Sequence, residues 1–176
     1  MSKVNWAIDP THSEIGFKVK HMMFTNVSGK FDAFTADIVN EEAHFETSDI
    51  RFTAEVKSIN TGNTDRDNHL RSADFFDTDT FGTLTFKSTA IQKVNEGQYE
   101  IKGDLTVKDV TKNITLNAEY SGLMNDPWGN TKIGLSLTGT INRKDFGLTW
   151  NAALETGGVL VGEDIKLNAE VQFVKQ

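Results

Sequence analysis

The sequence contains no cysteine. That excludes disulfide stapling, a thiolate nucleophile and cysteine-ligated zinc. Cationic residues are also short: 18 Lys and Arg stand against 25 Asp and Glu, for a net charge of -7. Such a balance argues against a nucleic-acid partner, which needs a basic face, and less strongly against an anionic membrane surface. No apolar run reaches the roughly 18 residues of a membrane-spanning helix, so the chain is expected not to be integral to a membrane. The opening MSKVNWAIDPTHSE lacks the apolar core of a signal peptide. A cytoplasmic location is therefore expected, or a periplasmic one if a leader had been trimmed.

What is present is alternation. With 176 residues and 38% apolar content, the chain is long enough for one globular domain, residues 1–176, burying about two thirds or more of its unfolded surface. Ile15, Phe17 and Val19 recur at every second residue. So do Phe52, Ala54 and Val56; Leu84 and Phe86; Tyr99, Ile101, Leu105 and Val107; Ile114, Leu116, Ala118 and Tyr120. Ile133, Leu135, Leu137, Gly139 and Ile141 continue the pattern, and Ile165, Leu167, Ala169, Val171 and Phe173 close it. A period of two with one apolar face reads as half-buried antiparallel strand. About eight such strands, some on the order of ten residues long, favour a closed barrel, because closure removes exposed edges. Small residues on the inward parity (Ala54, Gly103, Ala118, Gly139, Ala169) either leave room inside or offset the aromatics in a packed core. Between Lys30 and Val39 the parity of Phe31 opposes that of Phe34, which suggests a bulge or a strand boundary. Glu41 to Asp49 reads as an acidic loop, Asp109 to Lys112 as a turn, and Gly157-Gly158 as another.

One stretch breaks the alternation. Thr61 to Phe76 reads TGNTDRDNHLRSADFF. Thr64 with Asp67 fits a capping box, acidic residues fall in the first turn, and Arg71 falls in the last. The spacing predicts a short helix near 65–73, with Asp67 and Arg71 paired four apart and Phe75, Phe76 and Phe81 as its apolar anchor. Its polar groups either seat the helix or meet a ligand's head group.

Catalytic motifs are thin. Asp145-Phe146-Gly147 reads as a glycine turn, since no phosphate loop precedes it. His12, His21, His44 and His69 lack the spacing of a metal motif, so no metal site and no cofactor is expected. No Ser or Thr sits in a nucleophile elbow, and no catalytic residue is assigned.

The ordered motifs resemble one family nearly end to end, from Trp6 to Val174. Ile8-Asp9-Pro10-Thr11-His12-Ser13 opens the pattern, followed by His21 and Gly29-Lys30-Phe31. Ile59-Asn60-Thr61-Gly62-Asn63 through His69-Leu70-Arg71-Ser72 and Asp74-Phe75-Phe76-Asp77 is its most specific part. Asp126-Pro127-Trp128-Gly129-Asn130 and Ile141-Asn142-Arg143-Lys144-Asp145-Phe146-Gly147-Leu148 complete it. The chain resembles the YceI-like family, the polyisoprenoid- or lipid-binding YceI-like domain. Gly82 departs from it, standing where the family often has proline. The resemblance implies an all-β, extended lipocalin-like antiparallel barrel of about eight strands, a homodimer, and no established catalysis. It implies a long-chain partner: a polyisoprenoid, an isoprenoid quinone or a fatty-acid derivative.

On that reading Phe17, Val19, Phe52, Val56, Leu84, Phe86, Ile101, Leu105, Leu116, Leu135, Leu137, Leu167 and Val171 are expected to line the cavity or fill the core. Met22, Met23 and Phe24 form an adaptable lip. Arg66, His69 and Arg71 are the head-group candidates. Two other readings stay open: a lipid-modifying enzyme using His12, His21 or His69, and a partner-binding module with a filled core.

Overall fold

The computed structural model describes residues 2–152 and 160–176. Its strands are β1 (Lys3–Ile8), β2 (Glu14–His21), β3 (Thr25–Phe31), β4 (Phe34–Glu41), β5 (His44–Glu55), β6 (Ile59–Asn60), β7 (Thr83–Asn95), β8 (Gln98–Val107), β9 (Val110–Asn125), β10 (Thr131–Asn142) and β11 (Val161–Lys175). Among the described residues one α-helix, α1 (Thr64–Arg71), interrupts them. All pairings among the described strands are antiparallel. The order β1-β4-β5-β7-β8-β9-β10-β11 closes through the pairing of β11 with β1, giving an eight-stranded barrel.

The seam carries the remaining strands. Phe173 to Lys175 of β11 pairs with β1, while Val161 to Glu170 pairs with β2. β1 and β2 are thus one strand kinked at a 3-10 turn, Pro10–His12. The opening motif holds the kink: the Asp9 carboxylate caps the turn, the Asp9 amide donates to the Gln172 carbonyl, and Gln172 N donates to Ser13 Oγ. β2 then carries β3, and β3 carries β6.

Two ends result. At one, Phe45 stacks on Tyr120 and Tyr99 meets both edge-on, with ring centroids 4.5–5.8 Å apart. The Trp6 indole donates to Asn40 Oδ1 at 2.9 Å beside them, with both residues buried. Burial pushes the Tyr120 phenol up, and Tyr99 adds to it. This aromatic plug closes the barrel. At the other end β10 finishes, β11 begins, and the β2–β3 and β8–β9 turns emerge. α1 lies here, seated by Phe75 and Phe76.

Several local readings change. The parity break at Phe31 is a strand end, with Asp32 and Ala33 turning into β4. The supposed loop from Glu41 to Asp49 is mostly strand: β5 runs from His44, because a tight turn at Glu42-Ala43 puts Phe45 inside the plug. The β8–β9 turn falls at Lys108-Asp109, before the expected position. The α1 cap is Asn63, which accepts from Arg66 N at 2.9 Å. Asp67 instead accepts from Thr61 N and Oγ1 at 2.9 and 2.6 Å, so it pairs with neither Thr64 nor Arg71. Gly147 does sit at positive φ. The Gly157-Gly158 turn lies outside the described residues.

The inward glycines do not leave space. A Cβ at Gly103 would sit 2.3 Å from Cζ of Phe86, and one at Gly139 would sit 2.7 Å from Cδ2 of Leu116. Those glycines let larger neighbours lie across the strand. Ala54 and Ala118 are packed in the core. Of the five small residues, Ala169 alone lines open volume.

Candidate functional site

The barrel encloses a cavity of about 580 Å³, within the range of about 300–1,000 Å³ typical of small-ligand sites. Its walls come from the inward parity of nearly every strand. Along β11 the lining runs from Ile165 through Leu167, Ala169 and Val171 to Phe173, roughly 25 Å of strand. Phe17, Val19, Phe52, Leu84, Leu116, Leu137 and Leu167 point inward yet stay only half-buried. Apolar side chains directed at a barrel axis but left partly accessible mark volume that the protein's own atoms do not fill.

Most of the polar lining gathers at the α1 end: Lys20, His21, Thr61, Asp65, Arg66, His69 and Arg143; Asn168 stands apart, midway along β11. Arg66 Nε donates to Thr61 Oγ1 and Nη2 to the Thr61 carbonyl, at 2.8 and 3.1 Å. Its Nη1 has no hydrogen-bond partner among the described residues. His69 Nε2 lies 2.8 Å from Asp74 Oδ2, and its ring meets Phe75 and Trp150 edge-on. Asp67 stays inside its Thr61 loop, fixing the approach to the helix.

Arg143 was not legible as a site residue. It is 2% exposed and lines the cavity at the same end. Its guanidinium donates to the carbonyls of Leu148, Gly162 and Trp150 at 2.6–2.9 Å, and to Val161 at 3.4 Å. Those four acceptors belong to the chain after β10 and the start of β11, so Arg143 clamps that connection to the barrel. Burial lowers its pKa from the ordinary value, with Glu163 opposing. The available signal was an arginine between a strand end and a glycine turn, in Asn142-Arg143 … Gly147.

Of the apolar candidates, Phe17, Val19, Phe52, Leu84, Phe86, Ile101, Leu105, Leu116, Leu135, Leu137, Leu167 and Val171 stand on the cavity wall. Val56 does not. It sits in a 3-10 turn and packs with Phe31, Ala54 and Ile59 in a satellite core, because β5 ends one residue earlier. Met22 and Phe24 do not line the cavity either; with Met23 they form the exposed β2–β3 turn. Arg66 and His69 face the cavity, but Arg71 does not. Arg71 donates to the carbonyls of Lys57 and Ile59 and to Asn68, pinning α1 to the chain before it.

Other chemistry is sparse. Among the described residues no three His, Asp or Glu side chains converge as a metal site. His12 bonds Asp9, and His44 lies beside Glu46. No helix among the described residues is long and apolar enough to cross a membrane.

Comparison with known proteins fits this geometry. The YceI-like domain family model matches residues 6–173. A UPF0312 protein of Staphylococcus aureus strain N315 is 39% identical over 170 residues, covering 96% of both chains. The crystal structure of the YceI protein of Campylobacter jejuni superposes with a TM-score of 0.76 at 34% identity, over 89% of this chain and 90% of that one. A polyisoprenoid-binding domain from Saccharophagus degradans shares the fold at 14% identity, with a TM-score of 0.70 over 97% and 98% of the chains.

Proposed function

The chain belongs to the YceI-like family, and from that premise we propose that it binds and carries a long-chain amphiphile, its tail in the barrel and its polar head among Arg66, His69 and Arg143. The observation that carries this reading is the asymmetry of the cavity: apolar along the barrel but for Asn168, with the rest of its polar lining at the α1 end. Binding of an apolar ligand also agrees with the polyisoprenoid-binding domain of Saccharophagus degradans that shares this fold.

The energetics are adequate. Each buried CH2 contributes about 0.8 kcal/mol. A tail of about a dozen carbons gains on the order of 10 kcal/mol gross, and lost freedom and desolvation offset part of it. Micromolar binding, at about -8 kcal/mol, therefore calls for a longer tail or for the head-group contacts at the α1 end to supply the balance. The free Nη1 of Arg66 favours an anionic head, a carboxylate or a phosphate.

An enzymatic role has one supporting arrangement, the His69–Asp74 pair beside the cavity. It lacks a companion nucleophile among the described residues: the Thr61 hydroxyl on the cavity lining is already held by Asp67 and Arg66. Binding is therefore the better reading. Mass spectrometry of the purified protein, native and then after organic extraction, tests it. One lipid released per chain supports the carrier; a protein that is empty and binds no fluorescent fatty acid refutes it.

A further inference from the structure

The β2–β3 turn is built against local preference. Met22 and Met23 hold φ of 52° and 62°, the region that hairpin turns normally fill with Asn-Gly. The turn is closed by Phe24 N donating to the His21 carbonyl at 3.1 Å, and anchored by Met22 N donating to the Leu160 carbonyl at 2.8 Å. The three side chains gain no burial in return: Met22, Met23 and Phe24 are 48%, 63% and 86% exposed. Three consecutive large apolar residues at a strained, protruding turn point to a function outside the fold.

The charge below the tip is mixed, with cations in excess. On the outer face, exposed Lys18 stands directly across from exposed Lys166; exposed Lys20, nearer the tip, stands at the rim of the cavity. None of the three makes an ion pair among the described residues. Like charges opposed across a ladder are unfavourable unless an anion is supplied. Further from the tip along the same two strands, Glu14 opposes Glu170. Between the lysines and the tip β11 also carries Glu163, which pairs with Lys144, and exposed Asp164, so three lysines stand against one carboxylate without an ion pair among the described residues. Net charge does not cancel this, because charges beyond about 8 Å are screened at physiological ionic strength. His21, next to the tip, also lines the cavity mouth.

We propose that the β2–β3 tip is a docking element for a lipid bilayer bearing anionic head groups. Met22, Met23 and Phe24 enter the interfacial layer, and Lys18, Lys20 and Lys166 meet the head groups. Docking holds the cavity mouth against the membrane, the position from which an amphiphile transfers without crossing water. The transfer step rests on the carrier reading; docking does not.

The test is co-sedimentation of the full chain with vesicles of mixed phosphatidylcholine and phosphatidylglycerol, against pure phosphatidylcholine. The wild type should bind the mixed vesicles more strongly, with the difference fading at high salt. Met22→Asn/Met23→Gly/Phe24→Thr should lose roughly tenfold or more of that binding. The same variant should melt at the same temperature or higher, since Asn-Gly suits the turn. Lys18→Gln/Lys166→Gln should remove the preference for the anionic vesicles. Unchanged vesicle binding by the tip variant overturns the proposal. So does a wild type that ignores vesicles but forms a dimer that the tip variant dissolves, since the occupant is then a second copy. A fluorescent long-chain fatty acid, titrated in parallel, separates the two readings: docking without fatty-acid binding refutes the carrier and leaves the docking element standing.

Discussion

The His69 imidazole meets the Trp150 indole edge-on, with ring centroids 4.7 Å apart, so the helix and the segment after β10 touch at the cavity mouth. Trp150 is half-buried and lines the cavity, whereas Trp6 lies in the plug and Trp128 is exposed in the β9–β10 loop. Loading the cavity should therefore change Trp150 emission alone. A lipid titration of the wild type should shift or quench tryptophan fluorescence, and Trp150→Phe should abolish that signal while retaining binding measured by calorimetry. A signal that survives in Trp150→Phe would place the ligand elsewhere.

Leu137 stands on the wall, half-buried, opposite Ala118 and Ala169 on its neighbouring strands. Leu137→Lys should abolish lipid binding or folding, since a charge in the dry barrel costs several kcal/mol. Leu137→Ala is the informative companion. It should remain folded and weaken a tail-bound ligand by a few fold. Unchanged affinity in a folded Leu137→Lys protein would put that face outside the binding volume.

Arg66 and Arg71 separate head-group contact from support. Arg66→Gln and His69→Gln should weaken carboxylate- or phosphate-headed ligands more than a long-chain alcohol, by about tenfold for one lost charge-assisted bond. Arg71→Gln should lower thermal stability, because it releases the Lys57 and Ile59 carbonyls, without altering that ratio. Calorimetry with the two ligand classes reads both effects.

Asp9 sets a pH dependence. Hydrogen bonds from His12 and Thr11 hold its carboxyl well below the usual carboxylate range. A folded-state value below the unfolded value of about 3.9 means that the native state binds fewer protons in that window. Its contribution is thus complete above about pH 4 and is lost as pH falls toward the folded value. Denaturant titrations at descending pH should show the wild type losing stability faster than Asp9→Asn below about pH 4. Parallel curves would remove Asp9 as the cause. Lys132, within 3.5 Å of Asp9 and 3.8 Å of Asp126, ties the same kink to the β9–β10 loop.

Gly103 should tolerate no side chain. Its added Cβ meets the Phe86 ring and, at 2.7 Å, the Lys87 carbonyl. The ring can turn into the cavity, but the backbone cannot. Gly103→Ala should cost about 1–3 kcal/mol, the usual penalty of overpacking, and reduce ligand capacity if Phe86 swings inward. Denaturation and lipid titration of the same variant measure the two.

The sequence by itself determined the barrel and most of its wall. Alternation is a local property of each strand, so Leu135, Leu137, Leu167 and Val171 reveal their face without knowledge of their partners. It also located the helix, through its break in parity, and the membership of the family, through ordered motifs. Three things required the tertiary structure. Cavity and core share one pattern, and only packing across the barrel tells that Gly103 and Gly139 are filled by Phe86 and Leu116 while Ala169 faces open volume. The partners of Asp67, Arg71 and Arg143 are backbone groups, and backbone carbonyls carry no sequence signature. Met22, Met23 and Phe24 read as a lip in the sequence, but only the structure shows that a positive φ at Met22 and Met23 turns them out into solvent and off the cavity wall.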